Sequence, residues 1–255
     1  MSDFKPSVCV DAIFENVSCQ DATRQVADAG IRAIEFWGWW DKDLPKLQQC
    51  CAEHSLAVAA CCTRFISLVD PMVRREYLDG LEQSIATAKQ LSCPTLISQV
   101  GDFRNGVSRH QQRQSLIDGL KMAVPMLEAA DVTLVIEPLN ELVDHPGYYL
   151  IESREAFEIV AAVGSPQVKV LFDIYHQQIS EGHLIHNISS NIEKIGHFHA
   201  AGNPGRHELT VGEIDYRKVF EAIQRTDYRG FVGLEYWPLH EAVAGLREVA
   251  EWFNS

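Results

Sequence analysis

Short apolar segments rich in β-branched residues alternate about eight times with longer amphipathic segments along the 255 residues of the chain. Alternation of this kind is typical of a parallel sheet that is covered by helices. No glycine-rich phosphate-binding fingerprint follows the first apolar segment, which favours a closed barrel over an open dinucleotide-binding sheet. We therefore predict an α/β fold, a (β/α)8 TIM barrel in which residues 1–255 form a single domain.

The predicted elements follow one another as strand and then helix. The strands are predicted at residues 8–14, 33–39, 56–63, 95–101, 133–138, 168–174, 194–200 and 231–236. The helices are predicted at residues 19–29, 43–54, 72–90, 111–130, 153–163, 185–191, 216–225 and 241–253. We expect Ser18 and Ser153 to cap two helices, because a serine hydroxyl accepts hydrogen bonds from the N–H groups of a first turn. The helix at 72–90 carries one apolar stripe, formed by Tyr77, Leu81, Ile85 and Ala88.

Charge and composition limit the class of partner. The chain has a formal net charge of −13, whereas proteins that bind nucleic acids normally present a basic surface. No run of 18 apolar residues is present, so no membrane-spanning segment is expected. The first residues lack the basic start and apolar stretch of a secretory signal, so we expect a cytoplasmic location. Small metabolites are the favoured partners.

Seven cysteines lie within the first 93 residues of the chain. An odd number without a secretory signal favours reduced thiols over a disulfide framework. Cys61 and Cys62 are adjacent, and neighbouring side chains of one strand point to opposite faces. We therefore interpret this pair as small buried residues rather than as a chelate for a metal.

Four consecutive predicted strands carry a polar residue towards their carboxyl ends, where a buried strand is expected to be apolar. They are VTLVIEPLN with Glu137, VKVLFDIYH with Asp173, KIGHFHAAG with His199 and GFVGLEYWP with Glu235. Any one of these acids alone would be explained by a helix cap or a salt bridge. Four polar residues at the carboxyl ends of consecutive strands are instead expected to converge at the mouth of a barrel, where barrel active sites lie.

A buried carboxylate needs a compensating partner, and a metal ion supplies one. Three carboxylates and one imidazole suit a single divalent ion, Mg²⁺ or Mn²⁺, with positions left for substrate oxygens. His197 shares a face with His199 but lies deeper along the strand. We interpret His197 as a hydrogen-bonded core residue and not as a ligand.

The segments VIEPLN, DHPGYYL, FDIYHQQISEGHL, IGHFHAAGNPGRHEL, GEIDY and GLEYWP follow one another within residues 135–238. In this succession the chain resembles the hydroxypyruvate isomerase family, within the wider xylose-isomerase-like barrel superfamily. The resemblance implies metal ligands at Glu137, Asp173, His199 and Glu235, and catalytic proton exchange with substrate carbon by Glu137 and Glu235. His199 departs from the family, which carries Gln there, and matches the related ketose 3-epimerases instead.

The chemistry implied is the interconversion of a small hydroxy-aldehyde and hydroxy-ketone sugar or sugar acid, of the hydroxypyruvate and tartronate semialdehyde type. One glutamate removes a proton from carbon, the other returns one, and the metal stabilises the enediolate between these steps. His176 is a candidate to donate a hydrogen bond to a substrate oxygen. Arg206 is a candidate to bind a substrate carboxylate, because its fork can bind bidentately, and Glu208 is a candidate to orient Arg206.

Several alternatives share these residues. A ketose 3-epimerase is favoured by His199, and an inosose-type dehydratase would expel a hydroxyl from the same enolate. An endonuclease is disfavoured by the charge of −13, and an inactive binding barrel by the intact set of four ligands. A cluster of aromatic residues after the second strand is expected to wall the pocket, to pack between helices or to contact a partner: Phe36, Trp37, Trp39 and Trp40. A homo-oligomer, dimer or tetramer, is expected.

Overall fold

In the computed structural model, which describes residues 4–254, eight parallel strands close into a barrel in sequence order. Each strand pairs with the next, and the last pairs with the first over Lys5–Phe231 to Val8–Leu234. The strands are β1 (Lys5–Cys9), β2 (Ala33–Phe36), β3 (Ala57–Cys62), β4 (Thr95–Ser98), β5 (Thr133–Ile136), β6 (Val168–Asp173), β7 (Ile195–Ala200) and β8 (Phe231–Leu234). The predicted fold class, a (β/α)8 TIM barrel, is confirmed.

Helices connect the strands around the outside of the barrel. They are α1 (Val10–Ile13), α2 (Cys19–Asp28), α3 (Leu44–Glu53), α4 (Arg74–Leu91), α5 (Arg109–Ala130), α6 (Ser153–Val163), α7 (Ile174–Ser180), α8 (Leu184–Asn191), α9 (Tyr216–Gln224) and α10 (Ala242–Asn254). Two single 3-10 turns, Pro71–Val73 and Ile192–Lys194, precede α4 and β7. Within residues 4–254, no helix combines the length and the apolar character needed to cross a membrane.

The first strand differs from its prediction. β1 ends at Cys9, and the chain turns at once into the one-turn helix α1, whereas the sequence predicted a strand at 8–14. A short apolar run does not distinguish strand from helix by its pattern alone. This turn places Asp11 in α1, where its carboxylate accepts the backbone N–H of Trp37 at 2.8 Å.

Helix α7 was not predicted, and one predicted cap is wrong. α7 begins directly after β6, and Asp173 caps it by accepting the N–H groups of Tyr175 and His176 at 2.8 and 3.3 Å. The prediction for Ser18 is confirmed, since its hydroxyl accepts the N–H of Asp21. Ser153 is not a cap: Glu152 occupies that position, and the Ser153 hydroxyl donates to Glu181 instead.

The apolar side chains form two layers, one on each side of the sheet. The outer layer packs the strands against the helices and includes the predicted stripe of α4, every member of which is buried. The inner layer is a smaller apolar cluster inside the barrel and consists of Ala60, Cys62, Ile97, Val135 and Leu171. Cys61 faces the outer layer and Cys62 the inner one, as predicted, and both thiols are free.

Candidate metal centre and active site

Four buried side chains meet at the carboxyl-terminal mouth of the barrel. They are Glu137 just after β5, Asp173 at the end of β6, His199 in β7 and Glu235 just after β8. One ligand atom of each lies within 4.8 Å of those of the other three. The structure thus brings together all four residues that the sequence proposed as metal ligands.

Alternation along the strands explains this convergence. Val135 and Leu171 belong to the inner layer, so the residues two positions later, Glu137 and Asp173, emerge on the same inward side. Parallel strands place their carboxyl ends at one rim of the barrel. The four polar side chains therefore lie at the mouth of the barrel, next to the apolar side chains of the inner layer.

The orientation of His199 tests whether the cluster fits a cation. Its Nδ1 atom is buried and has no hydrogen-bond partner among the described residues. It lies 3.3 Å from Glu235 Oε2 and 3.6 Å from Glu137 Oε1. An ion with six ligands at about 2.1 Å requires ligand atoms separated by about 3 to 4 Å. The donor set and its spacing therefore fit a divalent ion with open positions for other oxygens.

The carboxylates of the cluster have different electrostatic environments. Burial raises the pKa of Asp173 to about 7, against the opposing effect of Arg206. Burial acts in the same direction on Glu235, but His199 and Arg206 hold the pKa of that carboxyl well below its usual range. The pKa of His199 is raised, although burial opposes it, because Glu235 and Glu35 surround the ring. A bound cation would relieve the repulsion that remains between the acids.

Arg206, proposed from sequence as a substrate-binding residue, reaches the same cluster from the loop after β7. Its side chain contacts the carboxylate of Glu235 and lies 3.6 Å from Asp173 Oδ2. The guanidinium also lies between two aromatic rings, 5.2 Å from the centroids of Tyr175 and Trp237. Only 8% of the residue is exposed, so Arg206 is fixed in the site and is not a solvated loop arginine.

The sequence-based role of Glu208 is not what the structure shows. Its carboxylate accepts the backbone N–H groups of Leu239 at 3.0 Å and His240 at 3.1 Å. Glu208 therefore ties the loop after β7 to the loop after β8, instead of orienting Arg206 directly. The carboxylate is held by backbone groups that lie 31 and 32 residues further along the chain, a distance at which sequence pattern gives no signal.

His176, also proposed as substrate-binding, lies in the first turn of α7 and is fully buried. Its Nδ1 accepts hydrogen bonds from the side-chain amide of Asn140 at 2.6 Å and from the Asn140 backbone N–H at 3.3 Å. The amide orientation is fixed, because Asn140 Oδ1 accepts the N–H of Val143. The proton of His176 therefore resides on Nε2, 3.5 Å from Asp173 Oδ2. Burial, and then Arg206, lower the pKa of His176, so it is a neutral donor.

The first half of the chain contributes residues that the sequence analysis did not assign. Trp37 donates its indole N–H to Glu235 Oε1 at 2.6 Å, and Cys9 Sγ lies 3.8 Å from the same oxygen. Glu35 in β2 lies 3.0 Å from His199 Nε2 and 2.8 Å from His197 Nε2. The predicted role of His197 as a hydrogen-bonded core residue is confirmed.

Glu35 is an acid within the otherwise apolar segment AIEF, and a charged residue in a buried strand is a signal of a functional or paired carboxylate. The same criterion had selected Glu137, Asp173 and Glu235. The predicted cluster comprises only residues at the carboxyl ends of the late strands, whereas Glu35 lies within an early strand. Of the aromatic residues after β2, Trp37 walls the site, whereas Trp39 donates to Ser84 Oγ and Trp40 packs against Phe65.

A cavity of about 280 Å³ opens above the cluster. Apolar and aromatic side chains form most of its wall, and several polar groups face into it. Its lining includes Trp37, Phe65, Gln99, His176, Arg206 and Trp237, together with three of the four clustered residues. This volume admits a small metabolite of a few carbon atoms and leaves little room for a polymer.

Comparisons with known proteins agree with this architecture. The family model described as xylose isomerase-like TIM barrel matches residues 23–255. Hydroxypyruvate isomerase of Escherichia coli (strain K12) is 35% identical over 232 residues, which cover 88% of this chain and 89% of that protein. The 2-oxo-tetronate isomerase of Pectobacterium atrosepticum is 28% identical over 254 residues, 95% of each chain. The resemblance found in the sequence is confirmed.

Solved structures share the fold. AP endonuclease, family 2, from Brucella melitensis matches with a TM-score of 0.91 and 27% identity, over 98% of this chain and 99% of that one. D-allulose 3-epimerase from Methylomonas sp. matches with a TM-score of 0.83 and 16% identity, over 100% of this chain and 97% of that one. The second likeness concerns the fold alone. This chain belongs to the xylose isomerase-like TIM barrel family and is an isomerase related to the hydroxypyruvate and 2-oxo-tetronate isomerases.

Proposed function

We propose that this isomerase interconverts a small hydroxy-ketone acid and the corresponding hydroxy-aldehyde acid, of the hydroxypyruvate and tartronate semialdehyde type. The observation that carries the proposal is the buried cluster of Glu137, Asp173, His199 and Glu235 beside the fixed cation of Arg206. The cofactor proposed for this cluster is one divalent ion, Mg²⁺ or Mn²⁺. The names of the two related isomerases, which concern small 2-oxo acids, support the same substrate class.

The proposed reaction moves a proton between adjacent carbons of the substrate. A bound divalent ion supplies Lewis acidity, which stabilises the negative charge that develops on the substrate oxygens. Glu235 is the proposed base towards carbon, because its carboxylate lines the cavity and is oriented by Trp37 and Arg206. Glu137 is its catalytic partner and exchanges the second proton.

Two buried donors support a substrate that carries a carboxylate. Arg206 Nε and His176 Nε2 are both buried, and neither has a hydrogen-bond partner in the part of the chain that the structure describes. Leaving such donors unsatisfied costs free energy, about 1 to 3 kcal/mol each, unless a ligand accepts from them. Both residues line the cavity. We propose that Arg206 binds the substrate carboxylate and that His176 donates to a carbonyl or hydroxyl oxygen.

Proton NMR in D₂O with hydroxypyruvate and the Mg²⁺-loaded protein tests the proposal. We expect signals of tartronate semialdehyde and deuterium uptake at carbon, both abolished by EDTA. Glu137→Gln and Glu235→Gln should each lower the rate by about 100-fold or more. The matched control is Glu141→Gln, an exposed glutamate in the loop after β5, which should keep the wild-type rate. Absence of turnover and of deuterium uptake in folded, metal-loaded protein would refute this substrate.

Arg206→Lys separates recognition of the carboxylate from the chemistry. Lysine keeps the charge but loses the planar fork and the Nε donor. We expect the dissociation constant for hydroxypyruvate to rise about 10-fold or more, since one charge-assisted hydrogen bond contributes about 1.5 to 3 kcal/mol. Dihydroxyacetone, which has no carboxylate, should bind both proteins alike in calorimetric titrations. Equal weakening for both compounds would contradict the assignment.

A ketose 3-epimerase is the second candidate, and His199 is the observation that favours it. Epimerisation at carbon 3 uses the same two glutamates, so a panel of four- to six-carbon ketoses distinguishes the two activities. Turnover of a ketose without turnover of hydroxypyruvate would select the epimerase. The predicted cytoplasmic location and the predicted homodimer or homotetramer stay predictions.

A further inference from the structure

We propose that Glu35 is a positioning residue that holds the imidazole of His199 so that Nδ1, and not Nε2, faces the divalent ion. The proposal rests on the metal centre of the proposed function. It assigns a role to Glu35, which does not line the cavity and is not one of the four clustered residues. Its carboxylate groups instead with His197 and His199.

Glu35 lies on β2 inside the barrel and is 1% exposed. Its Oε2 accepts the hydroxyl of Ser7 at 3.0 Å and contacts His197 Nε2 at 2.8 Å. Its Oε1 lies 3.0 Å from His199 Nε2, and both atoms are buried without a hydrogen-bond partner among residues 4–254. The second oxygen of this carboxylate therefore faces the ring nitrogen of His199 at ion-pair distance.

The contact determines which ring nitrogen can bind a cation. An ionised carboxylate only accepts hydrogen bonds, so the nitrogen that faces it must carry a proton. His199 Nε2 is that nitrogen, which leaves Nδ1 to present its lone pair towards Glu137 and Glu235, 3.6 and 3.3 Å away. A carboxylate bonded to the far nitrogen of a metal-bound histidine fixes the ring and raises its basicity.

Two features argue that this carboxylate is not an incidental core residue. Burying an ionised carboxylate is costly unless its oxygens have partners. Ser7 and His197 contact only Oε2, which leaves Oε1 facing His199. Strand β8, which flanks β1 on the other side from β2, also makes room for it at Gly233. A Cβ atom at Gly233 would lie 2.1 Å from Glu35 Oε1, so β8 lacks a side chain where the carboxylate approaches. Both strands are therefore adapted to hold Oε1 beneath His199.

Metal affinity tests the proposal without measuring catalysis. Glu35→Gln keeps the size of the side chain but removes its charge, and we expect it to weaken binding of Mn²⁺ about 10- to 100-fold. Titrations followed by electron paramagnetic resonance give this value directly. Ser7→Ala is the matched control, because Ser7 bonds Glu35 but does not contact His199, and it should leave the affinity near that of the wild type. Equal affinity in Glu35→Gln and wild type would overturn the proposal.

A measurement on the wild-type protein avoids any effect of a variant on folding. ¹⁵N spectra of histidine-labelled protein with Mg²⁺ should show His199 protonated at Nε2, with an N–H that exchanges slowly with solvent. A proton on Nδ1 would overturn the proposal. If the wild type binds neither Mg²⁺ nor Mn²⁺, the proposed function fails together with this role of Glu35. If it binds them tightly and the Nε2 proton is absent, only the role of Glu35 fails.

Discussion

The two halves of the barrel contribute in different ways to the mouth. β5 to β8 supply Glu137, Asp173, His199 and Glu235, whose ligand atoms face one another. β1 to β4 and their loops supply three residues that contact members of this cluster without belonging to it: Cys9, Glu35 and Trp37. One half therefore supplies the clustered acids and histidine, and the other half supplies groups that contact them.

The difference bears on how three buried carboxylates are accommodated at one rim of the barrel. Three carboxylates placed together repel one another, and the second half alone offers only Arg206 and His199 as cationic compensation. The first half adds the hydrogen-bond donor Trp37 and a fourth carboxylate, Glu35, which lies beside His199. Changes to the four clustered residues should therefore remove function outright, whereas changes to the first-half residues that contact them should reduce it by degrees.

The largest effect is expected from Asp173→Asn, in the half that carries the ligands. The variant loses one ligand, and we expect Mn²⁺ affinity to fall about 100-fold or more, with loss of turnover. The metal-free protein should melt at the same temperature or higher, because burial disfavours the charged form of Asp173 and raises its pKa to about 7. Calorimetry and thermal melting measure the two quantities.

The control for this prediction is Asp79→Asn, an exposed aspartate on α4 that pairs with Arg75. It should change neither affinity nor melting temperature appreciably. Wild-type affinity in Asp173→Asn would contradict the division between the two halves, since a ligand would then be dispensable.

An intermediate effect is expected from Trp37→Phe, in the supporting half. Phenylalanine keeps the aromatic wall but lacks the N–H that donates to Glu235 at 2.6 Å. A hydrogen bond to a charged group contributes about 1.5 to 3 kcal/mol, so kcat should fall about 10-fold or more. Trp39→Phe is the matched control, because that indole donates to the neutral hydroxyl of Ser84. Equal kcat values for both variants would show that the first half does not orient Glu235.

The smallest effect is expected from Glu208→Gln, which loosens the loops of the second half without touching a ligand. Hydrogen bonds from backbone N–H groups lower the pKa of Glu208 from 4.5, although burial acts in the opposite direction. The folded state therefore favours the ionised form, and this stabilisation is present above the ordinary pKa and is lost as the pH falls through the lowered one.

We expect the variant to be about 1 to 2 kcal/mol less stable than the wild type at pH 7. The difference should shrink below about pH 4, and urea unfolding at both pH values measures it. Glu248→Gln, an exposed glutamate of α10, is the control and should show no such dependence. A difference that stays constant with pH would mean that the charge of Glu208 is not what secures these loops.

Most of the fold was accessible from the sequence because its signals are local. The α4 stripe and the Ser18 cap were predicted correctly, since hydrophobic period and capping chemistry act over a few residues. The strand at 8–14 was misplaced and α7 was missed, because both are short segments of mixed apolar character next to the active site. The conformation of such segments is determined by contacts around the site more than by local secondary-structure propensity.

The sequence by itself determined which residues stand at the mouth. Strand direction and the alternation of side chains place Glu137, Asp173, His199 and Glu235 at one rim once eight strands are recognised. Only the tertiary structure decided what holds them there. Trp37 meets Glu235 across 198 residues, and Glu35 meets His197 across 162. Contacts at such separations arise from barrel closure, which brings the side chains of distant strands into one interior and leaves no trace in the local pattern.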